Sequence, residues 1–176
     1  ASAEAYLRGI ERRIAAGLDP KVSSVASLFV SRWDVAANKR LPGALHNRLG
    51  IAVAAQTYRA YRELLAAPRW HQLASAGAHV QRPLWASTGT KNPAYSDVLY
   101  VESLIGAQTI NTVPDATLAA FRDHGKAEAT LERDIAAARE QFAALQRLGI
   151  DLDAAGEELQ VEGLKLFEDS FRQLLA

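Results

Sequence analysis

Val22-Ser23-Ser24-Val25-Ala26-Ser27-Leu28-Phe29-Val30 contains no charged residue; the Asp19-Pro20 turn precedes it, and Arg32 and Asp34 follow it. A short apolar run with β-branched residues between such boundaries predicts a strand. Alternation divides it into two rows, Ser24, Ala26, Leu28 and Val30 against Val25, Ser27 and Phe29. Neither row is charged. The expectation is therefore a strand buried on both faces, as in a parallel sheet covered by helices.

Upstream of this run, Leu7, Ile10 and Ile14 recur at helical spacing between Ala3 and Gly17, which supplies the stop. Downstream, a helical stretch to about Arg40 halts at Pro42-Gly43. A longer helix, about His46 to Ala66, carries Leu49, Val53, Ala54, Tyr58, Tyr61 and Leu64 or Leu65 as its apolar stripe and ends at Pro68. Trp70 to Ala76 reads as a short connecting segment. Arg82-Pro83-Leu84-Trp85-Ala86-Ser87-Thr88 predicts the second strand, its proline near the start where a missing N–H is tolerated. The loop Gly89-Thr90-Lys91-Asn92-Pro93 and a helix from Tyr95 to Ile105 lead to a third strand, Gln108 to Val113, closed by Pro114. Asp115 to His124 is the next helix. Only helices are expected after it. Ala127 to Leu148 places Leu131, Ile135, Phe142 and Leu145 on one face. A last helix, with Asp153 as its cap, turns Val161, Leu164, Phe167, Phe171 and Leu174 toward the core.

Strands alternating with helices imply an α/β fold of parallel βα units. Three strands cannot close a barrel, for which about 250 residues are typical. The 176 residues suit one ordinary domain by length, yet the element count describes only part of a barrel. No repeat, low-complexity tract or linker divides them.

Apolar residues make up 49% and charged residues 23%, a globular balance that argues against disorder. Lys+Arg and Asp+Glu number 20 each, so no overall charge draws the chain to nucleic acid or an anionic membrane. Cysteine is absent, which excludes a disulfide framework, a thiolate metal site and a cysteine nucleophile, and suits a reducing compartment. No apolar stretch nears the ~20 residues of a membrane span. The first residues lack the basic start and apolar run of a signal peptide, and the chain does not open on Met. The expectation is a soluble, cytoplasmic protein of which this chain is a fragment.

In βα architectures, function collects at the C-terminal ends of the strands. Those ends hold Ser27 to Arg32, Ala86 to Lys91, and Asn111-Thr112. Hydroxyls, an amide and two cations suit polyols and phosphate. Each residue also has an ordinary reading. Ser27 fits a small core position, Arg32 and Lys91 fit solvated charges, and Asn111 and Thr112 fit turn chemistry before Pro114. Their conjunction at three strand ends favours a site. His46, His71, His79 and His124 are scattered without metal-site spacing. No GxGxxG, Walker, GxSxG or HExxH pattern occurs. Most carboxylates fall on helical surfaces, and Asp34, near the end of the first strand, reads as a helix cap.

At these strand ends the sequence resembles a known family. Val25-Ala26-Ser27-Leu28-Phe29-Val30-Ser31-Arg32, continued by Trp33-Asp34, resembles the sixth-strand motif of transaldolases. Arg82-Pro83-Leu84-Trp85-Ala86-Ser87-Thr88-Gly89-Thr90-Lys91-Asn92-Pro93 is similar to their seventh-strand motif in the longer bacterial form. Asp97-Val98-Leu99-Tyr100-Val101 and Asn111-Thr112-Val113-Pro114 carry the resemblance to the eighth strand. It implies a (β/α)8 TIM barrel whose C-terminal half is residues 1–176, from the helix before the sixth strand through the trailing helices. It also implies a transferase of the pentose phosphate pathway. A dihydroxyacetone unit would pass from sedoheptulose 7-phosphate or fructose 6-phosphate to glyceraldehyde 3-phosphate or erythrose 4-phosphate. The family does this through a lysine Schiff base, whose protonated imine takes up the electrons released by carbon–carbon cleavage. No metal, organic cofactor, nucleic acid or membrane is implied, and a homodimer of the parent is compatible with the family.

By the resemblance, Ser27 contacts the donor chain, Phe29 shapes the site, Arg32 binds phosphate, and Ser87 ends the seventh strand. Short transaldolases carry a second phosphate-binding arginine two positions after that serine. Gly89 stands there in this chain, and Lys91 is the expected replacement. The Schiff-base lysine, an aspartate and an acid/base glutamate belong to earlier strands and are expected upstream of Ala1. The fragment alone is therefore expected to be inactive. Lys21, Lys39, Lys91, Lys126 and Lys165 fill no inward strand position. Many class I aldolase barrels put their lysine on the sixth strand, where this chain has Val25, Ser27 and Phe29. That favours transaldolase over another sugar-phosphate aldolase or isomerase barrel. A non-catalytic, mostly helical interaction module is the remaining alternative, and it would require the strand runs to be helical or exposed.

Overall fold

Each of the three apolar runs forms a strand in the computed structural model, which describes residues 2–39, 41–133, 135–149 and 151–176. They are β1 Ser24–Phe29, β2 Gln81–Ala86 and β3 Ile110–Asn111. The sheet order is β1-β2-β3 with both pairings parallel, and the register sets Ser27 beside Leu84, Phe29 beside Ala86 and Trp85 beside Asn111. β3 is shorter than its run, although the Thr112 N–H still donates to the Trp85 carbonyl at 2.9 Å. A helical module is not what these runs form.

The helices are α1 Ser2–Ala15, α2 Val30–Ala37, α3 Leu49–Ala66, α4 Pro68–Ser75, α5 Leu99–Ser103, α6 Asp115–His124, α7 Ile135–Arg147 and α8 Leu152–Leu175. Residues 70–75 lie in a helix rather than a connector, because Pro68 both ends α3 and sits in the first turn of α4. α5 is shorter than the expected Tyr95–Ile105, and α7 starts well after Ala127. The expected helix end at Arg40 and the side chain of Ile135 lie outside the described residues. Among the described residues, no helix is long and apolar enough to cross a membrane.

The expectation of two buried faces is corrected. Leu28 and Trp85 face α3, where Trp85 is fully enclosed with Val30, Ala54, Ala55, Tyr58 and Leu104. On the opposite row Val25 is 43% exposed, and Ser27 and Arg82 are exposed too. The helices cover one side of the sheet, while the other is exposed at Val25, Ser27 and Arg82 and covered only toward the strand ends, where Ala86 is buried and Phe29 half-buried. An uncharged row therefore marks here a partly exposed surface, not a second buried face.

Asp34 belongs to α2 but caps another helix. Its Oδ1 accepts from the N–H groups of Leu49 (2.9 Å) and Gly50 (3.2 Å), and its Oδ2 accepts from the Tyr100 hydroxyl at 2.8 Å. The first turn of α3 thereby gains an acceptor for its orphan donors. Gly50 makes the approach feasible. A Cβ there would press on the Val30 carbonyl oxygen and lie 2.7 Å from Asp34 Oδ2.

The last helix departs furthest from expectation. Asp151 caps it, accepting from the N–H groups of Asp153 and Ala154, so Asp153 is not the cap. α8 has no buried residue, and Val161, Leu164, Phe167, Phe171 and Leu174 are 60–80% exposed rather than core. Periodicity located the stripe but could not say whether anything covers it.

Candidate functional site

The C-terminal end of β1 passes into α2 with no loop, since Phe29 ends the strand and Val30 begins the helix. Ser27 therefore sits on the exposed row of β1, and Arg32 falls in the first turn of α2. Burial as a small core residue does not describe Ser27. The Arg32 guanidinium lies over the Phe29 ring, 4.2 Å from its centroid. It makes no ion pair with the described residues. A cation in a helix's first turn meets the positive end of the macrodipole, so α2 itself does not stabilise the Arg32 charge.

Ser87 follows β2 in a left-handed conformation, φ 56°. A serine there carries backbone strain of about 1–3 kcal/mol, which the surroundings must hold. Two contacts do so. The Ser87 carbonyl accepts from the Ser31 N–H at 3.1 Å, and the Ser31 and Ser87 hydroxyls are 2.7 Å apart. Next along the rim, the buried Thr88 hydroxyl donates to Asn111 Oδ1 at 2.7 Å. The exposed Thr112 hydroxyl donates to the Trp85 carbonyl at 3.2 Å. Hydroxyl and amide contacts thus link neighbouring strand ends, Ser31 with Ser87 between β1 and β2 and Thr88 with Asn111 between β2 and β3.

The site candidates are not all drawn into those contacts. Ser31 and Ser87 join the ends of β1 and β2, while Arg32 and Phe29 stack on each other beside them. Lys91 is exposed in the loop after β2 and forms no hydrogen bond or ion pair with the described residues. Gly89 lies instead at the β3–α6 junction, where a Cβ would be 3.3 Å from Pro114 Cγ and 3.6 Å from Thr117 Oγ1. Ser31 and Thr88 were not singled out from the sequence. Both lie inside the quoted motifs, but their pairing depends on the strand register. The His46 ring donates from Nε2 to the Leu41 carbonyl at 2.8 Å, and His124 contacts Asp97 and Asp123 at 2.9 and 3.1 Å. Among the described residues, no three His, Asp or Glu side chains cluster as metal ligands.

A sequence model of the family described as Transaldolase/Fructose-6-phosphate aldolase matches residues 1–176. The chain belongs to this family. It is 49% identical over 173 residues to a transaldolase of Neisseria meningitidis serogroup A, covering 98% of this chain and 49% of that protein. A transaldolase of Thiobacillus denitrificans is 48% identical over 181 residues, with 98% of this chain and 50% of that protein covered. One from Frankia alni is 45% identical, with 98% and 49% covered. The chain spans about half the length of the curated relatives it matches.

Proposed function

We propose that this chain forms the C-terminal half of a (β/α)8 barrel transaldolase and supplies the phosphate end and part of the donor pocket. The exposed Val25–Ser27 row, leading to an Arg32 that makes no ion pair among the described residues, carries this reading. In a closed barrel that row would face the interior, where Ser27 could hydrogen-bond a donor hydroxyl. Arg32 would take the phosphate bidentately, and Phe29 would wall the site. Ser87, fixed through Ser31, would present its hydroxyl beside them. Lys91 is assigned the second phosphate contact in place of the arginine that Gly89 lacks.

The reaction is transfer of a dihydroxyacetone unit between sugar phosphates through a lysine Schiff base. None of the five lysines lies on β1, β2 or β3, so the nucleophile is assigned to the other half of the barrel. Borohydride reduction of the full-length polypeptide with fructose 6-phosphate should leave one covalent label on a lysine outside this segment. No label, or a label within it, would sink the proposal. Arg32→Ala should raise KM for sugar phosphates by about 10- to 100-fold, as expected for lost charge-assisted hydrogen bonds. Unchanged phosphate affinities in Lys91→Ala would remove Lys91 from the site.

A further inference from the structure

α8 has no fully buried side chain, and Leu152 packs partly buried against Ala37, Leu41, Leu49 and Leu145. Its two glycines mark a further contact. A Cβ at Gly156 would be 3.2 Å from Trp33 Cη2, and one at Gly163 would be 3.3 Å from Arg32 Nη1. Seven residues separate them, two helical turns, so one face of α8 rests on consecutive residues of α2. Glycine is a poor helix former, and both occurrences in α8 fall at these contacts. One turn beyond Gly163, Phe167 meets the Phe29 ring edge-to-face, with centroids 6.4 Å apart. Phe29 is the ring on which the Arg32 guanidinium lies.

We propose that Gly163 and Phe167 are positioning residues for the phosphate contact, holding the Arg32 guanidinium against Phe29 so that its outer edge is ready for an anion. Arginine has many rotamers, and one held in place loses less freedom when it binds. Phe167 fixes the orientation of the ring beneath the cation, whereas the missing Cβ at Gly163 leaves room for Nη1. The specificity for phosphorylated sugars then depends on a helix that acts through Arg32 and Phe29. This inference rests on the reading of Arg32 as the phosphate ligand.

The test uses the full-length polypeptide, with inorganic phosphate as a competitive inhibitor and fructose 6-phosphate compared with fructose. Gly163→Ala and Phe167→Ala should each weaken phosphate inhibition and raise KM for fructose 6-phosphate about 3- to 30-fold, the range of a cation–π contact. The preference for the phosphorylated over the unphosphorylated sugar should fall by the same factor. Phe167→Tyr, which keeps the ring, should behave as the parent. Gly163→Ala should melt at the same temperature or higher, because alanine favours the helix and the displaced atom ends a flexible side chain. A merely structural role predicts the opposite, with affinity lost only alongside stability. Equal losses on both sugars, or unchanged phosphate inhibition in both α8 variants, would overturn the inference. If Arg32→Ala weakens phosphate while the α8 variants do not, only the positioning role falls. If Arg32→Ala has no effect on phosphate, the reading of the site falls as well.

Discussion

Asp34 takes a carboxyl group into the interior, where it is 1% exposed and faces Tyr100 and the first turn of α3. Burial pushes its pKa above the usual carboxylate range, against the hydrogen bonds from Tyr100, Gly50 and Leu49 and the charge of His46. The native state therefore holds this proton more tightly than the unfolded chain does. The contribution to stability is fully present below about pH 4, the unfolded value, and is lost as pH rises through the raised native pKa. Asp34→Asn keeps an acceptor for α3 and removes the buried charge. It should be at least as stable as the parent at pH 7, with the difference shrinking toward pH 4 in urea titrations. Asp34→Ala leaves two N–H groups and a hydroxyl without their acceptor and should cost about 2–4 kcal/mol in the same measurement. That Asp34 caps a helix was legible from its type and place. Which helix it caps was not, because the partner lies fifteen residues on and is chosen by packing. The same limit hid Ser31, whose partner Ser87 is 56 residues away.

Among the elements, α2 and α3 approach each other closely at Gly50. Gly50 stands where the backbone of Val30 and the carboxyl of Asp34 leave no room for a methyl group. Alanine would favour the helix on its own, yet here Gly50→Ala must push α3 away from α2. The expected loss is about 1–3 kcal/mol by chemical denaturation, as for overpacking. Alanine at Gly163 meets a movable side-chain tip instead, so that replacement should leave stability unchanged or raise it where Gly50→Ala lowers it. The order of strands and helices was legible from apolar period and turn residues, and the family motifs lay across it. Coverage was not. Val25, Ser27 and Phe29 look alike whether the facing layer is a helix or the inside of a barrel, and the α8 stripe reads like any core face. Sequence periodicity reports which residues share a side, whereas burial depends on elements elsewhere.

For the whole molecule, the exposed Val25 and Ser27 on the sheet and the exposed stripe of α8 fit the half-barrel proposal. The proposed nucleophile lies outside its three strands, so the 176-residue chain by itself should turn over no ketose phosphate. Coupled assays with fructose 6-phosphate and erythrose 4-phosphate would show this, and rates equal to those of a full-length relative would sink the half-barrel reading. The direct passage of β1 into α2 has another consequence, for how such a site changes over evolutionary time. Phe29 and Val30 are adjacent, so no loop between strand and helix can absorb an insertion or a deletion. One residue gained or lost there would rotate Arg32 by about 100° around α2. Lineages can lengthen the segment after β2 and vary Lys91 with it, but the reach of Arg32 can drift only by substitution.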